Sequence, residues 1–353
     1  MPVYRLIGAY FIKIDQKKEL YYIMKKKILT ILLSAVMAVG CMCGFSSCGS
    51  DDDGKISIVT TIFPEYDWVM NILGEKKDGF KVTMLLENGV DLHSYSPTFT
   101  DIVEISKCDM FLYVGGESEK WTKDALKAPV NKERIEVDLF NILGDKVKEE
   151  ETVEGMQGEE HDHEEGEEHD HEEEVEYDEH VWLSLKNTKF LVGKVAEQIC
   201  KLDEGNADYY TENARKYGEK IDELDGEFAE MVASANRDTV LFADRFPFRY
   251  LADDYGLKYY AAFAGCSAET DASFETMAFL VNKVNELDLK VILQLESAKG
   301  DIAKTVKRDA AADDIEILTA NSLQSSTKRD FENGVTYLSL MRENLEVFRK
   351  ALA

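Results

Sequence analysis

From Lys55 onward, short β-branched and apolar runs alternate with longer stretches of helical periodicity. This alternation is typical of a wound α/β domain, in which helices connect parallel strands. The run at 110–114 is almost entirely apolar and ends at two glycines, as expected for a parallel strand buried on both faces. The first half of the chain is predicted to contain strands at 56–61, 80–86 and 110–114, and helices at 65–73 and 98–108.

A second set of the same kind follows near the C-terminus. It predicts strands at 240–242, 259–263, 291–295 and 315–318, and helices at 274–287, 302–311 and 335–352. Between the two sets lie predicted helices at 188–201 and 206–232, and the second is long enough to connect two lobes. Ligands of such sheets bind beyond the carboxyl ends of the strands, so the sequence predicts a site in the cleft between two α/β lobes.

The charge of the chain is strongly negative and unevenly distributed. The 353 residues carry 41 Lys and Arg against 69 Asp and Glu, a net charge of -28, which argues against nucleic acid as a partner. Residues 149–179 alone contain 18 acidic residues and no Lys or Arg. This segment has no apolar periodicity, and we expect a solvated loop.

The N-terminus has the order of a secretory signal. Three lysines at 25–27 precede an apolar run at 28–39, which is too short for a comfortable membrane span, and small residues and cysteines follow. Met24 stands directly before the lysines, so residues 1–23 are interpreted as a misannotated extension. A lipoprotein signal would end at a lipid-modified cysteine. Cys48 is favoured over Cys41 because a polar tether at 49–54 follows it.

These features divide the chain into segments. After the signal at 24–48 and the tether, we expect an N-terminal lobe at 55–148, the acidic loop at 149–179, connecting helices at 180–236 and a C-terminal lobe at 237–353. A chain of this design would be anchored through acyl groups at the extracytoplasmic face of a bacterial membrane.

Histidine is the residue type that points most directly to a ligand. Four of the six histidines fall within eleven residues of the acidic loop: His161, His163, His169 and His171. Imidazoles interleaved with carboxylates offer many weak, exchangeable sites for a divalent cation, although a simple solvating spacer is the alternative. The other two, His93 and His180, each follow an aspartate by two residues, and His93 precedes a predicted helix, where α/β domains hold their sites.

Three segments together resemble the zinc and manganese substrate-binding lipoproteins of ABC importers. Residues 60–66 match the family's Thr-Thr-x-x-Pro-x-Tyr, residues 89–98 match Gly-x-Asp-Pro-His-x-Tyr-x-Pro-Thr with Leu92 for the first proline, and residues 178–184 match Asp-Pro-His-x-Trp-Leu-Ser with Glu179 for proline. A His- and acid-rich loop often precedes the last motif in zinc members. The resemblance implies two lobes bridged by a rigid helix, with His93 and His180 as metal ligands of the N-terminal lobe.

The C-terminal lobe departs from the family pattern. Zinc members usually supply a third histidine where this chain has Arg245, and the carboxylates of manganese members would fall near Gly265 and Asn321, where none stands. The adjacent candidates are Asp244, Cys266 and Glu269. Glu269 is the least favoured, because it matches a family stretch whose Glu is usually not a ligand. Because thiolate is among the best zinc donors, Cys266 and Asp244 are predicted as ligands, although a buried apolar cysteine and an Asp244–Arg245 ion pair are the alternatives.

The resemblance therefore implies a monomeric receptor that captures Zn²⁺ and delivers it to an ABC importer permease. A Mn²⁺ receptor, or a surface metal buffer or adhesin that acts through the loop, are the alternatives. An enzyme is not expected, because no His-Glu-x-x-His helix accompanies His180.

Overall fold

The computed structural model describes residues 54–87, 89–158, 176–267 and 271–353. Residues 55–353 form one compact unit, to which all of the following refers. Cys41, Cys48, the four loop histidines and Glu269 lie outside the described residues. Within the described part of the chain, no helix is both long enough and apolar enough to cross a membrane.

Each lobe is built on a parallel four-stranded sheet, and the two sheets have the same topology. The first sheet has the order β2-β1-β3-β4 and the second the order β6-β5-β7-β8. The strands are β1 (Ile56–Thr60), β2 (Phe80–Met84), β3 (Met110–Tyr113), β4 (Ile135–Asp138), β5 (Thr239–Phe246), β6 (Lys258–Ala264), β7 (Val291–Leu295) and β8 (Glu316–Ala320). In each sheet the chain starts at a central strand, moves to one edge and then crosses to the other side.

Helices cover the faces of the sheets and link the lobes. They are α1 (Phe63–Leu73), α2 (Phe99–Lys107), α3 (Thr122–Ala125), α4 (Leu139–Leu143), α5 (Leu185–Leu202), α6 (Ala207–Ser234), α7 (Arg249–Tyr255), α8 (Phe274–Glu286), α9 (Asp301–Asp309), α10 (Lys328–Glu332) and α11 (Tyr337–Ala351). Helix α2 begins directly after Thr98, whose hydroxyl accepts from the Asp101 backbone N–H at 3.2 Å.

The long connector is α6, whose 28 residues span about 42 Å at 1.5 Å per residue. It packs against α5, α1 and α11, so it contacts helices of both lobes. The residues that it buries recur at helical spacing: Tyr210, Ala214, Tyr217, Ile221, Leu224, Phe228 and Met231. One apolar core continues through both lobes and this connector.

The two ends of the acidic segment are ordered, which corrects the prediction of a solvated loop over its whole length. Glu149 pairs with Tyr177 in an antiparallel bridge, and Gln157 pairs with Phe263 at the edge of β6. Asp178 and Glu179 are buried. Their carboxylates contact His180 and His93, and acid-rich composition alone does not reveal this interaction.

Candidate metal centre

The two histidines outside the acidic loop meet in the cleft. His93 lies in the loop after β2, and His180 lies directly before the turn Val181–Leu183 that leads into α5. Their Nε2 atoms are 3.2 Å apart, and their ring centroids are 5.1 Å apart. Tetrahedral zinc with bonds of about 2.0–2.1 Å to nitrogen places two donor atoms about 3.3 Å apart. The two imidazoles are therefore spaced as a pair of zinc ligands would be.

Buried carboxylates orient both rings. The Nδ1 atom of His180 lies 3.0 Å from the Asp178 carboxylate, and the Nδ1 atom of His93 lies 2.7 Å from the Ser118 hydroxyl and 3.3 Å from Glu179. A proton on Nδ1 that is donated to an oxygen leaves the Nε2 lone pair free for a metal. Both rings thus present Nε2 toward the same point.

Glu179 stands where the family pattern has a proline, and the structure gives it a role. Its Oε1 atom accepts from the Ser118 backbone N–H at 2.7 Å, while its Oε2 atom faces His93. Gly116 has a φ of +90°, and a Cβ atom there would lie 2.5 Å from Glu179 Oε1. Glycine is needed at this position because of both the backbone conformation and the close approach of the carboxylate.

Two further carboxyl groups, those of Glu119 and Glu65, are buried near Glu179 and near each other. Burial raises the pKa of Glu119 to about 8, and the nearby Glu179 adds to the effect. Burial and Glu119 also raise the pKa of Glu65 well above its usual range. Glu65 accepts from the backbone N–H groups of Thr61 and Ile62, so the Thr-Thr-x-x-Pro-x-Tyr segment has a structural role at the start of α1. These raised pKa values favour the neutral acids at pH 7, so Glu119 and Glu65 add little negative charge to the site.

Cys266 is the candidate third donor. It lies in the loop after β6, and its Sγ atom and the nitrogens of His93 and His180 lie within 4.8 Å of one another. Burial raises the pKa of the Cys266 thiol well above its usual range, and Asp178, Glu150 and Glu179 add to this effect. The thiol is therefore protonated at neutral pH without a metal and loses its proton when a cation binds.

Asp244, the other ligand predicted from the C-terminal lobe, does not join this group in the structure. Its two carboxylate oxygens accept from the backbone N–H groups of Arg245, at 2.8 Å, and Leu295, at 3.1 Å. The strand β5 carries a bulge between Phe242 and Arg245, and these hydrogen bonds hold the chain just beyond it. Asp244 lines a cavity of about 250 Å³ together with His93, and both of its oxygens are engaged by backbone N–H groups.

Arg245 joins the two lobes. Its guanidinium lies 2.6 Å from the Asp91 carboxylate of the N-terminal lobe and donates to the Ser267 carbonyl at 3.4 Å. Burial opposes ionisation of Asp91, but Arg245 and His93 outweigh it and hold the pKa of Asp91 below its usual range. Where the family resemblance implied a histidine ligand, this chain has a fixed positive charge beside the site.

Gln324 is a site residue that the sequence interpretation did not identify. It is buried in the loop after β8, its Nε2 atom lies 3.1 Å from His180 Nε2, and its Oε1 atom accepts from the Leu92 backbone N–H at 3.3 Å. No motif marked this position, and an amide is not among the side chains that a search for metal ligands favours. In this arrangement the Gln324 amide donates to the Nε2 lone pair of His180, which a metal would need. Metal binding must therefore break this hydrogen bond.

Replacing Arg245 by methionine is expected to raise Zn²⁺ affinity about tenfold. The substitution removes a positive charge near the cation and frees Asp91, whose Oδ1 atom lies 4.0 Å from His93 Nε2. Competition against a chelator of known affinity measures the change, and Arg249→Met is the matched control. A weaker binder than the unsubstituted chain would show that the Arg245–Asp91 ion pair favours zinc by holding the lobes together.

Comparisons with known proteins agree with this architecture. The model of the family described as zinc-uptake complex component A, periplasmic (ZnuA), matches residues 58–351. The chain is 30% identical over 324 residues to the high-affinity zinc uptake system protein ZnuA of Bacillus subtilis, covering 91% of this chain and 96% of that protein. It is also 30% identical to the zinc-binding lipoprotein AdcA of Streptococcus pneumoniae, covering 92% of this chain but only 61% of AdcA.

Solved structures give the same result. The Zn(II)-bound ZnuA-like domain of Streptococcus pneumoniae AdcA superposes with a TM-score of 0.65 at 26% identity, covering 85% of this chain and 99% of that domain. The periplasmic zinc-binding protein TroA of Treponema pallidum, at 22% identity and a TM-score of 0.67, covers 85% of this chain and 100% of its own and shares the fold. Two lobes of identical topology, a long connecting helix and the matched motifs all agree: the chain belongs to the ZnuA family of periplasmic zinc-uptake components.

Proposed function

We propose that this protein captures Zn²⁺ outside the cytoplasm and delivers it to the permease of an ABC importer. The observation that carries the proposal is the convergence of His93, His180 and Cys266 in the cleft, with donor atoms within 4.8 Å of one another. Two neutral imidazoles and a thiolate suit zinc better than manganese, which prefers carboxylate and carbonyl oxygens. The zinc-binding names of the relatives add support.

The ligand set that we propose contains these three residues. The Gln324 amide, which donates to His180 Nε2 in the structure, gives up that hydrogen bond when the metal binds. Asp244 is not a member of this set. Capture requires only that the lobes close around the cation, and release requires that the permease draw them apart. We propose no catalytic role, because a binding site of this kind needs no open position for a water molecule.

The acidic loop is proposed to concentrate cations near the cleft through His161, His163, His169 and His171. Deleting residues 159–175 tests this division of labour and spares the ordered ends that contact Phe263 and Cys266. We expect the deleted chain to keep one tight Zn²⁺ site by calorimetric titration and to lose the weak sites. Loss of the tight site would instead favour the metal-buffer function.

A manganese receptor is the second candidate, favoured by a structural neighbour with bound Mn that is 22% identical and shares the fold. Metal content of the purified chain, measured by mass spectrometry after growth with both metals, distinguishes the two. Manganese in the site of the unsubstituted chain would contradict the zinc proposal.

We propose further that the mature protein is a monomer held at the extracytoplasmic face of the membrane by a lipid on Cys48. The support is the signal-like order of residues 24–48, followed by a polar tether. Replacing Cys48 by serine is expected to move the protein from the membrane fraction to the soluble extracytoplasmic fraction. Cys41→Ser is the matched control, and the opposite pattern would assign the lipid to Cys41.

A further inference from the structure

Two phenylalanine side chains of the folded unit stand almost fully in solvent. Phe99 is 84% exposed and Phe274 is 85% exposed, and they are the two most exposed large apolar side chains in the described part of the chain. Each is the first residue of a helix, Phe99 of α2 and Phe274 of α8. The helix starts are fixed, because Thr98 accepts from the Asp101 backbone N–H and Ser273 accepts from that of Thr276.

The two positions are equivalent in the two lobes. Helix α2 connects β2 to β3, and α8 connects β6 to β7, in sheets of identical strand order. The loop that precedes each helix carries a proposed zinc ligand: His93 lies between β2 and α2, and Cys266 lies between β6 and α8. Each lobe therefore repeats one arrangement at the carboxyl edge of its sheet: a ligand-bearing loop, a capped helix start and an exposed aromatic ring.

We propose that Phe99 and Phe274 are the two anchors through which the protein docks on its membrane permease, one anchor for each lobe. The proposal deepens the proposed function and rests on it. Aromatic side chains that fill pockets dominate the affinity of many protein interfaces. A partner that binds both rings touches both lobes at once, as a partner that opens the cleft must do.

The charge of the chain favours a permease over the other occupants of such a surface. A net charge of -28 makes two copies repel each other and makes an anionic membrane surface unfavourable. Acidic residues are also close to both phenylalanines along the chain: Asp101 is two residues after Phe99, and Glu275 directly follows Phe274. The matching partner is an integral membrane protein whose extracytoplasmic surface has apolar pockets with basic residues around them.

The arrangement connects docking with release. His93 is six residues from Phe99, and Cys266 is eight residues from Phe274. Moving the two anchors apart therefore moves the two ligand-bearing loops apart. Because His93 and Cys266 contribute donors from opposite lobes, this motion separates the ligand set and frees the cation.

The test uses cells that normally make this chain, with the altered gene at its own position. Phe99→Ser and Phe274→Ser are combined, and Val130→Ser, which alters another exposed apolar side chain of 69% exposure, is the matched control. We expect the initial rate of radioactive zinc uptake from zinc-depleted medium to fall about threefold in each single variant and at least about tenfold in the double variant. The control should match the unsubstituted chain, and the purified variants should keep their Zn²⁺ affinity within about twofold.

Several outcomes would overturn the proposal. Unchanged zinc uptake at equal protein level would show that the two rings are not anchors. If uptake and Zn²⁺ affinity fell by the same factor, the substitutions would be acting on metal binding in the cleft and not on docking. A zinc-loaded dimer in sedimentation equilibrium that the double variant lacks would identify a second copy as the occupant. Binding to phosphatidylglycerol vesicles that the double variant loses would identify lipid. If removing the whole chain leaves zinc uptake unchanged, the proposed function itself fails, and the docking proposal fails with it.

Discussion

Replacing His180 by alanine is expected to weaken Zn²⁺ binding about 10³-fold, corresponding to about 4 kcal/mol. The imidazole is fully buried, and its Nε2 atom lies 3.2 Å from that of His93, so the substitution removes a donor that the alanine methyl group cannot replace. It also leaves Asp178 without the ring that it orients. Competition against a strong chelator isolates this site from weaker ones in the loop, and His163→Ala is the matched control.

Folding must be separated from binding in this experiment. Zinc that binds only the folded state raises the temperature of unfolding in proportion to the logarithm of its concentration. We expect zinc to raise that temperature in the unsubstituted chain and in the control, but hardly in His180→Ala, whose unfolding without metal should stay cooperative. Equal stabilisation by zinc in all three proteins would contradict the assignment of His180 as a ligand.

The sequence allowed the prediction of much of this cluster because His93 and His180 lie in motifs of fixed spacing. Their convergence follows from topology, since loops at the carboxyl edges of parallel sheets face the same cleft. Cys266 was selected because it adjoins Gly265, where the family resemblance places a carboxylate, and because thiolate is a good zinc donor. Its Sγ atom lies within 4.8 Å of the two imidazole nitrogens, and its role as a ligand stays a prediction. Asp244 does not join the donor cluster of this structure, because its oxygens accept from backbone N–H groups at the bulge in β5. A local sequence pattern does not encode the hydrogen bond from Leu295, which lies far from Asp244 along the chain.

The fold was predicted with similar limits. Strongly apolar strands such as β7 were identified with their observed bounds, because buried parallel strands appear as continuous apolar runs. Strand β4 was missed because its four residues alternate apolar and acidic side chains at the edge of the sheet, where half of each strand is exposed. Helix α7 was missed because its seven residues are too few to show a helical period. Gln324 escaped notice for a different reason, since only the folded chain brings it to His180.

Replacing Cys266 by serine is expected to weaken Zn²⁺ binding about 10²-fold and to remove one proton from the binding reaction. The pKa of the buried thiol is raised well above its usual range, so at neutral pH the metal-free protein holds this proton and the zinc-bound thiolate does not. Zinc binding therefore releases the thiol proton. Release of this one proton makes the Zn²⁺ affinity rise about tenfold for each unit of pH, as long as the pH is below the pKa of the thiol. The serine variant should lose that part of the pH dependence.

Calorimetry at pH 7 in two buffers with different enthalpies of protonation counts the released protons directly. Cys200→Ser, which alters a half-buried cysteine that donates to the Ala207 carbonyl, is the matched control and should release as many protons as the unsubstituted chain. The preference for Zn²⁺ over Mn²⁺ should narrow only in Cys266→Ser, because the thiolate is the donor that manganese accepts least readily. An unchanged proton count with unchanged affinity would remove Cys266 from the ligand set and leave the two imidazoles to bind zinc with Gln324 and solvent.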